Sequence, residues 1–182
     1  MIKNRKLAAR LARETVEILE AGRYRVSDVE VDIDEMIAES MEGTISYPPD
    51  ARLPRQKIGE RDTAIEVISG TTLSTARRLV AQGRDVAVLN FASAKNPGGG
   101  FLHGSVAQEE SLSRASGLYA CLFGDEMYEF HKARHDPMYT NWAIYSPVVP
   151  VIRDDDGELL EVPYRCLHHC ARRHHNGRSV EE

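Results

Sequence analysis

From Arg5 to Ala21 the apolar positions recur at spacings of three and four: Leu7, Ala8, Leu11, Ala12, Val16, Ile18 and Leu19, with charged residues opposite. That pattern predicts an amphipathic helix, stopped by Gly22. Tyr24 to Ile33 alternates apolar and polar residues and predicts a strand over 29–33. Residues 47–62, with Tyr47-Pro-Pro-Asp50, have little periodicity and read as a surface crossing. A short apolar run, Ala64 to Ser69, reads as a strand ended by Gly70. Thr71 or Thr72 can cap a helix to about Gln82, with Leu73, Ala76, Leu79 and Val80 facing inward. Asp85 to Phe91 is nearly all apolar and lies between helical segments, as a central buried strand would. A helix follows from about Gln108 to Phe123, then strands over 142–145 and 148–153, a turn at Asp154-Asp-Asp-Gly157 and a strand over 159–162. Helices and strands alternate, so the predicted class is α/β with a mixed sheet. From Cys166 onward no period continues, and little remains to bury.

Composition narrows the function. The chain has 182 residues, enough for one domain with a core, and carries a net charge of -5. An acidic protein gains nothing from a nucleic-acid backbone, so DNA is not an expected partner. A local anion site made of backbone N–H groups needs no positive net charge. No apolar run reaches the length of a membrane span, and the N-terminus lacks the apolar core of a secretory signal. Three cysteines suggest no disulfide framework, so the expected location is a reducing cytoplasm. Cys121 reads as a packed small residue. His131 and His135 are four apart on a helix expected to be exposed, without a third ligand. No metal and no cofactor are expected.

The chemistry concentrates in Asn96-Pro-Gly-Gly-Gly100, a short spacer that includes His103, and Gln108-Glu-Glu110, set between the buried strand and a helix. Gly98, Gly99 and Gly100 let backbone N–H groups turn toward a ligand, and the helix start adds further donors. Together they suit a diphosphate, with Asn96 and Gln108 beside it. There is no Gly-Lys-Ser/Thr, and the glycine spacing departs from Gly-x-Gly-x-x-Gly, so neither a Walker loop nor a dinucleotide redox domain fits. Alone, the glycines are a flexible turn and the acids complement a helix dipole. In strand–loop–helix order they read as a site. Glu109 and Glu110 point about 100° apart on a helix. They cannot flank one bond as ordinary glycosidase carboxylates do. The natural division puts one on the reacting bond and its neighbour on a sugar hydroxyl. Burial would raise such an acid's pKa and the helix start would lower it; the sequence leaves that balance open.

Leu89-Asn-Phe-Ala-Ser93, Asn96-Pro-Gly-Gly-Gly-Phe101 and Ala107-Gln-Glu-Glu-Ser-Leu-Ser-Arg-Ala-Ser-Gly-Leu-Tyr119 resemble the signature of microbial-type poly(ADP-ribose) glycohydrolases. The N-terminal helix, the Tyr-Pro-Pro-Asp segment and Tyr145 to Arg153 are also similar to that family. The resemblance implies a macrodomain-like mixed sheet flanked by helices, with an N-terminal helical extension. It implies poly(ADP-ribose) as substrate, cut at the ribose–ribose O-glycosidic bond to release ADP-ribose. Glu110 matches the catalytic acid and Glu109 the residue that holds the ribose. Gly98, Gly99 and Gly100 match the diphosphate lining. The alternatives are a module that binds ADP-ribose without cleaving it, or an inactive truncated product.

The resemblance covers about residues 5–165, which gives an expected domain over 1–165 and a tail over 166–182. The family is expected to continue with a strand like Ile-Thr-Ala-Pro-Ala, further strands and a second Gly-rich loop. Here the chain reads His168-His-Cys-Ala-Arg-Arg173. Codons for that peptide, read one base later, can encode Ile-Thr-Ala-Pro-Ala, so the tail is expected to be out of frame. A sheet lacking its last strands would expose an edge, and self-association through that edge is expected. A zinc site from Cys166, Cys170 and the histidines is the competing reading of the tail. Against it, His168 and His169 are neighbours and there is no second Cys-x-x-Cys.

Overall fold

The computed structural model describes residues 2, 4–52, 62–134 and 139–171, with 167–171 as backbone. The first helix, α1 (Arg5–Ala21), starts at Asn4, whose side-chain oxygen accepts from the N–H groups of Lys6 and Leu7 at 3.0 and 3.2 Å. It buries Ala8, Leu11, Ala12, Thr15 and Ile18, the face read from the sequence. Next come β1 (Arg23–Val26) and β2 (Val29–Asp32), an antiparallel hairpin, and α2 (Asp34–Glu42). The sequence predicts one strand here. The alternating stretch divides because Ser27 takes a left-handed φ of 54° at the turn. Ile18, Tyr24, Val31, Ile33 and Ile37 close a core cluster with Ile152.

The main sheet has four strands in the order β3 (Ile45–Tyr47), β5 (Ala143–Arg153), β6 (Leu159–Ala171), β4 (Ala87–Phe91). Neighbours of β5 run antiparallel to it, and β4 runs parallel to β6, so the sheet is mixed as expected. The helices are α3 (Thr72–Ala81), α4 (Gln108–Ala115), α5 (Leu118–Leu122) and α6 (Glu126–Ala133). Leu73, Val88, Leu112, Leu118, Ile144 and Val149 belong to the core between them and the sheet.

Several expectations change. The apolar run expected as a central buried strand is β4, an edge strand among the described residues: only one side has a strand partner, β6, and alternate residues Leu89 and Phe91 are exposed. Residues 64–69 form no strand: Ile65 and Val67 are 89% and 94% exposed, and no described strand lies beside them to complete a ladder. The helix expected over 108–123 breaks at Ser116, which takes an extended conformation and pairs with Val151, while Gly117 N–H donates to the Pro150 carbonyl at 2.9 Å. The two strands expected over 142–153 are one, with a register shift between Ser146 and Val149. Strand β6 continues past Cys166 to Ala171, because β4 and β5 supply backbone partners on both sides whatever the side-chain pattern. Cys166 itself is buried. Residues 53–61 of the expected crossing, His135, and residues 172–182 of the expected tail lie outside the described residues. His131 is buried rather than exposed, with its ring nitrogens on the Met127 carbonyl and the Thr140 hydroxyl at 2.8 and 2.9 Å.

Candidate active site

Strand β4 aims Val88 and Asn90 into the core and hands the chain to the Gly-rich loop. Helix α4 then holds the end of that strand and the loop with three consecutive side chains and a fourth one turn on. Gln108 donates from Nε2 to the Leu89 carbonyl and accepts at Oε1 from the Phe91 N–H, each at 3.0 Å. Glu109 Oε2 accepts from Ser93 N–H at 2.7 Å. Glu110 Oε1 accepts from Gly100 N–H at 3.0 Å. Arg114, one turn on and buried, donates from Nη1 to the Ser105 carbonyl at 3.2 Å.

Two glycines are required by what lies against them. Gly99 has φ 60°, and a Cβ there would sit 2.5 Å from Glu110 Oε1 and 3.0 Å from Glu109 Oε2. The glutamates leave the helix in different directions, yet both carboxyls return to one point of backbone. Gly104, at φ 81°, packs against the Arg5 carbonyl so closely that any side chain would collide with it. The start of α1 is thereby seated on the loop. Phe101 is fully buried beneath Gly98.

The carboxyls differ in surroundings. Glu109 is 4% exposed, and Glu110 is part-exposed. Burial pushes Glu109 up to about 7, and the charge of Glu110 adds to the rise. The Ser93 and Gly98 N–H groups and the Asn90 side chain oppose it without offsetting it. Glu109 Oε1 and Ser113 Oγ are buried with no hydrogen-bond partner among the described residues. Burial lowers Arg114, and the charge of Glu110 supports it. The balance left open by the sequence therefore falls to burial at Glu109.

The structure brings Glu109, Glu110, Gly98, Gly99 and Gly100 together. The Gln108 amide is occupied by the edge of β4, and Asn96 uses its carbonyl to accept from Gly99 N–H at 2.9 Å while its side chain is exposed. His103 is exposed at the end of a short 3-10 turn, Phe101–His103. A cavity of about 270 Å³ lies on the other face of α4, lined by Thr71, Ser111 and Arg114 among others, and does not include the glutamates. Sequence reasoning missed Asn90, Ser93 and Arg114. Asn90 had a signal: an amide in the middle of an apolar strand is costly without a task.

The model of the microbial-type PARG catalytic domain, PARG being poly(ADP-ribose) glycohydrolase, matches residues 12–154. The chain belongs to the microbial-type poly(ADP-ribose) glycohydrolase family. Poly(ADP-ribose) glycohydrolase from Thermomonospora curvata is 46% identical, with a TM-score of 0.85 over 92% of this chain and 64% of that one. The same protein bound to the inhibitor ADP-HPD gives 46% identity and 0.82, covering 92% and 63%. The enzyme from Deinococcus radiodurans in complex with ADP-ribose gives 38% and 0.66, covering 82% and 59%. The chain thus spans a little under two thirds of the length of these relatives. Comparison with curated proteins finds no match. Among the described residues no helix is long and apolar enough to cross a membrane, and no cluster of three or more metal-ligating side chains occurs.

Proposed function

We propose that this chain hydrolyses ribose–ribose O-glycosidic bonds in poly(ADP-ribose) and releases ADP-ribose. The observation that carries the reading is the convergence of Glu109 and Glu110 on the Gly98–Gly100 backbone, within a family whose relatives bind ADP-ribose and ADP-HPD. Glu110, part-exposed and held by Gly100, is the general acid that protonates the departing ribose oxygen. As a carboxylate it then activates water against the oxocarbenium-like carbon. Glu109, whose Oε2 lies with Glu110 Oε1 against Gly99, holds a ribose hydroxyl. The glycine loop lines the diphosphate, and the net charge of -5 sets this local recognition apart from DNA binding. Free, buried Cys121 and Cys166 fit a reducing cytoplasm.

The test is incubation with labelled poly(ADP-ribose), beside Glu110→Gln, followed by separation of free ADP-ribose. Loss of general acid–base catalysis is worth about 10²–10⁴-fold, so release by the variant should nearly vanish. Equal release by both proteins removes Glu110 from the reaction. No release by folded wild type, with retained ADP-ribose binding, leaves a binding module.

A further inference from the structure

We propose that the outward face of α1 is a polyanion subsite, where Lys6, Arg10 and Arg13 hold the part of the poly(ADP-ribose) chain that lies beyond the bond being cut. This rests on the glycohydrolase reading above. The three side chains stand at i, i+4 and i+7, within about 60° of one another around the helix and opposite its buried face of Ala8, Leu11, Ala12 and Thr15. All three are exposed, and none makes a hydrogen bond or ion pair with a described residue. The stripe runs about 10 Å along the helix, longer than a single phosphate group. The nearest acids do not cancel it. Glu14 is drawn to Arg153 at 3.0 Å, and Glu17 lies a turn beyond Arg13.

Charge along α1 runs against the helix dipole. Its first half carries Arg5, Lys6, Arg10 and Arg13, and its second half Glu14, Glu17 and Glu20, with no acid in the first turn and no base in the last. A helix arranged for its own stability has the reverse order. In a chain of net charge -5, cations gathered on that end of one helix point to a ligand rather than to folding. The loop says which ligand. The Arg5 carbonyl packs on Gly104, and α1 lies against Phe101–His103, the turn that follows directly on Gly100. Gly100 N–H donates to Glu110, the carboxyl that protonates the departing oxygen. That oxygen belongs to the remaining polymer, which therefore leaves past Glu110. Every unit of that polymer carries a diphosphate, so the departing group is a polyanion. The stripe starts just beyond the turn and gives it cations to lie on. Released ADP-ribose, a single unit held by the glycine loop, does not reach the stripe.

Filter binding of labelled poly(ADP-ribose) to the Glu110→Gln protein tests this without turnover, so its failure is separable from failure of the activity assay. Adding Lys6→Gln, Arg10→Gln and Arg13→Gln together should weaken polymer binding at low salt by about tenfold, as the loss of three exposed charge contacts does. The slope of log affinity against log salt should flatten by about two for three lost phosphate contacts. Affinity for free ADP-ribose should not change. Lys6→Arg, Arg10→Lys and Arg13→Lys together keep the charge and should restore polymer binding. Arg77→Gln, Arg78→Gln and Arg84→Gln remove the same charge from exposed positions on and after α3 and should leave it unaltered. Equal polymer binding with and without the stripe overturns the proposal, as does an equal loss from the α3 set or no polymer binding by the parent protein. So does single-stranded DNA that displaces labelled polymer as readily as unlabelled polymer does.

Discussion

Replacing Glu109 by Gln should stabilise the protein at alkaline pH, and the size follows from the burial of its carboxyl. Its pKa is raised from 4.5 to about 7, chiefly by burial. Well below 4.5 the folded and unfolded chains both carry the proton, and the group costs nothing. Between about 4.5 and 7 only the folded chain holds it, so stability falls as pH rises. Above about 7 the penalty is complete, and at about 1.4 kcal/mol per pKa unit it approaches ~3 kcal/mol. Gln keeps the shape and an oxygen for Ser93 N–H but does not titrate. Urea unfolding at pH 8 should therefore show Glu109→Gln more stable than wild type by about 1–3 kcal/mol, the advantage shrinking below ~1 kcal/mol at pH 5. A difference between the proteins that is the same at pH 5 and pH 8 refutes the reasoning. Packing can separate an amide from a carboxyl, but only titration makes that separation depend on pH.

Gly99→Ala places a methyl 2.5 Å from Glu110 Oε1 in a left-handed backbone that costs about 1–2 kcal/mol for alanine. ADP-ribose release should fall at least tenfold (~1.4 kcal/mol), against a fall of only a few degrees in the thermal melt; unchanged release would show that the loop yields freely. Arg153 is buried, donates to Thr15 Oγ1 and the Gly157 carbonyl and pairs with Glu14 at 3.0 Å. Arg153→Met should lower unfolding free energy by about 3 kcal/mol, since acceptors and a half-exposed carboxylate lose their donor; a loss under ~1 kcal/mol would show that water replaces it. Gln108→Ala uncovers backbone of β4 beside the exposed Leu89 and Phe91. Sedimentation should then show more self-association than in wild type, and identical profiles would remove Gln108 as the guard of that edge.

The elements legible in the sequence were those whose pattern is local. The stripe of α1 needed only its own residues to declare itself, whereas the apolar run of β4 declared a strand but not its place, which is the edge of the sheet and not its buried centre. The segment 64–69 has a strand's composition and no strand beside it, so propensity without a partner misled. The reverse held for 166–171, where an unpromising peptide is a strand because it has neighbours on both sides. Ser116 and Gly117 read as helix, and pairing with β5 overrode that preference. At the site, the Gly-Gly-Gly and Gln-Glu-Glu spacing picked out residues that the fold brings together, while burial, a property of the whole fold, distinguishes Glu109 from Glu110. Gln108, expected beside the ligand, has its amide on the edge of β4, a contact that its place in the sequence does not announce.

Thr15 has a consequence for how the chain reaches this fold. Its hydroxyl donates to the Arg114 carbonyl and accepts from Arg153 Nε, joining residues 99 and 138 positions apart. Such contacts return nothing until very large loops have closed, and the closure entropy is spent beforehand. Helix α1 can form early, but its buried face stays uncovered until the turn Phe101–His103 and α4, its main neighbours, have been made. During synthesis that apolar stripe waits in solvent, and folding should therefore be slow and dependent on chaperones that shield it.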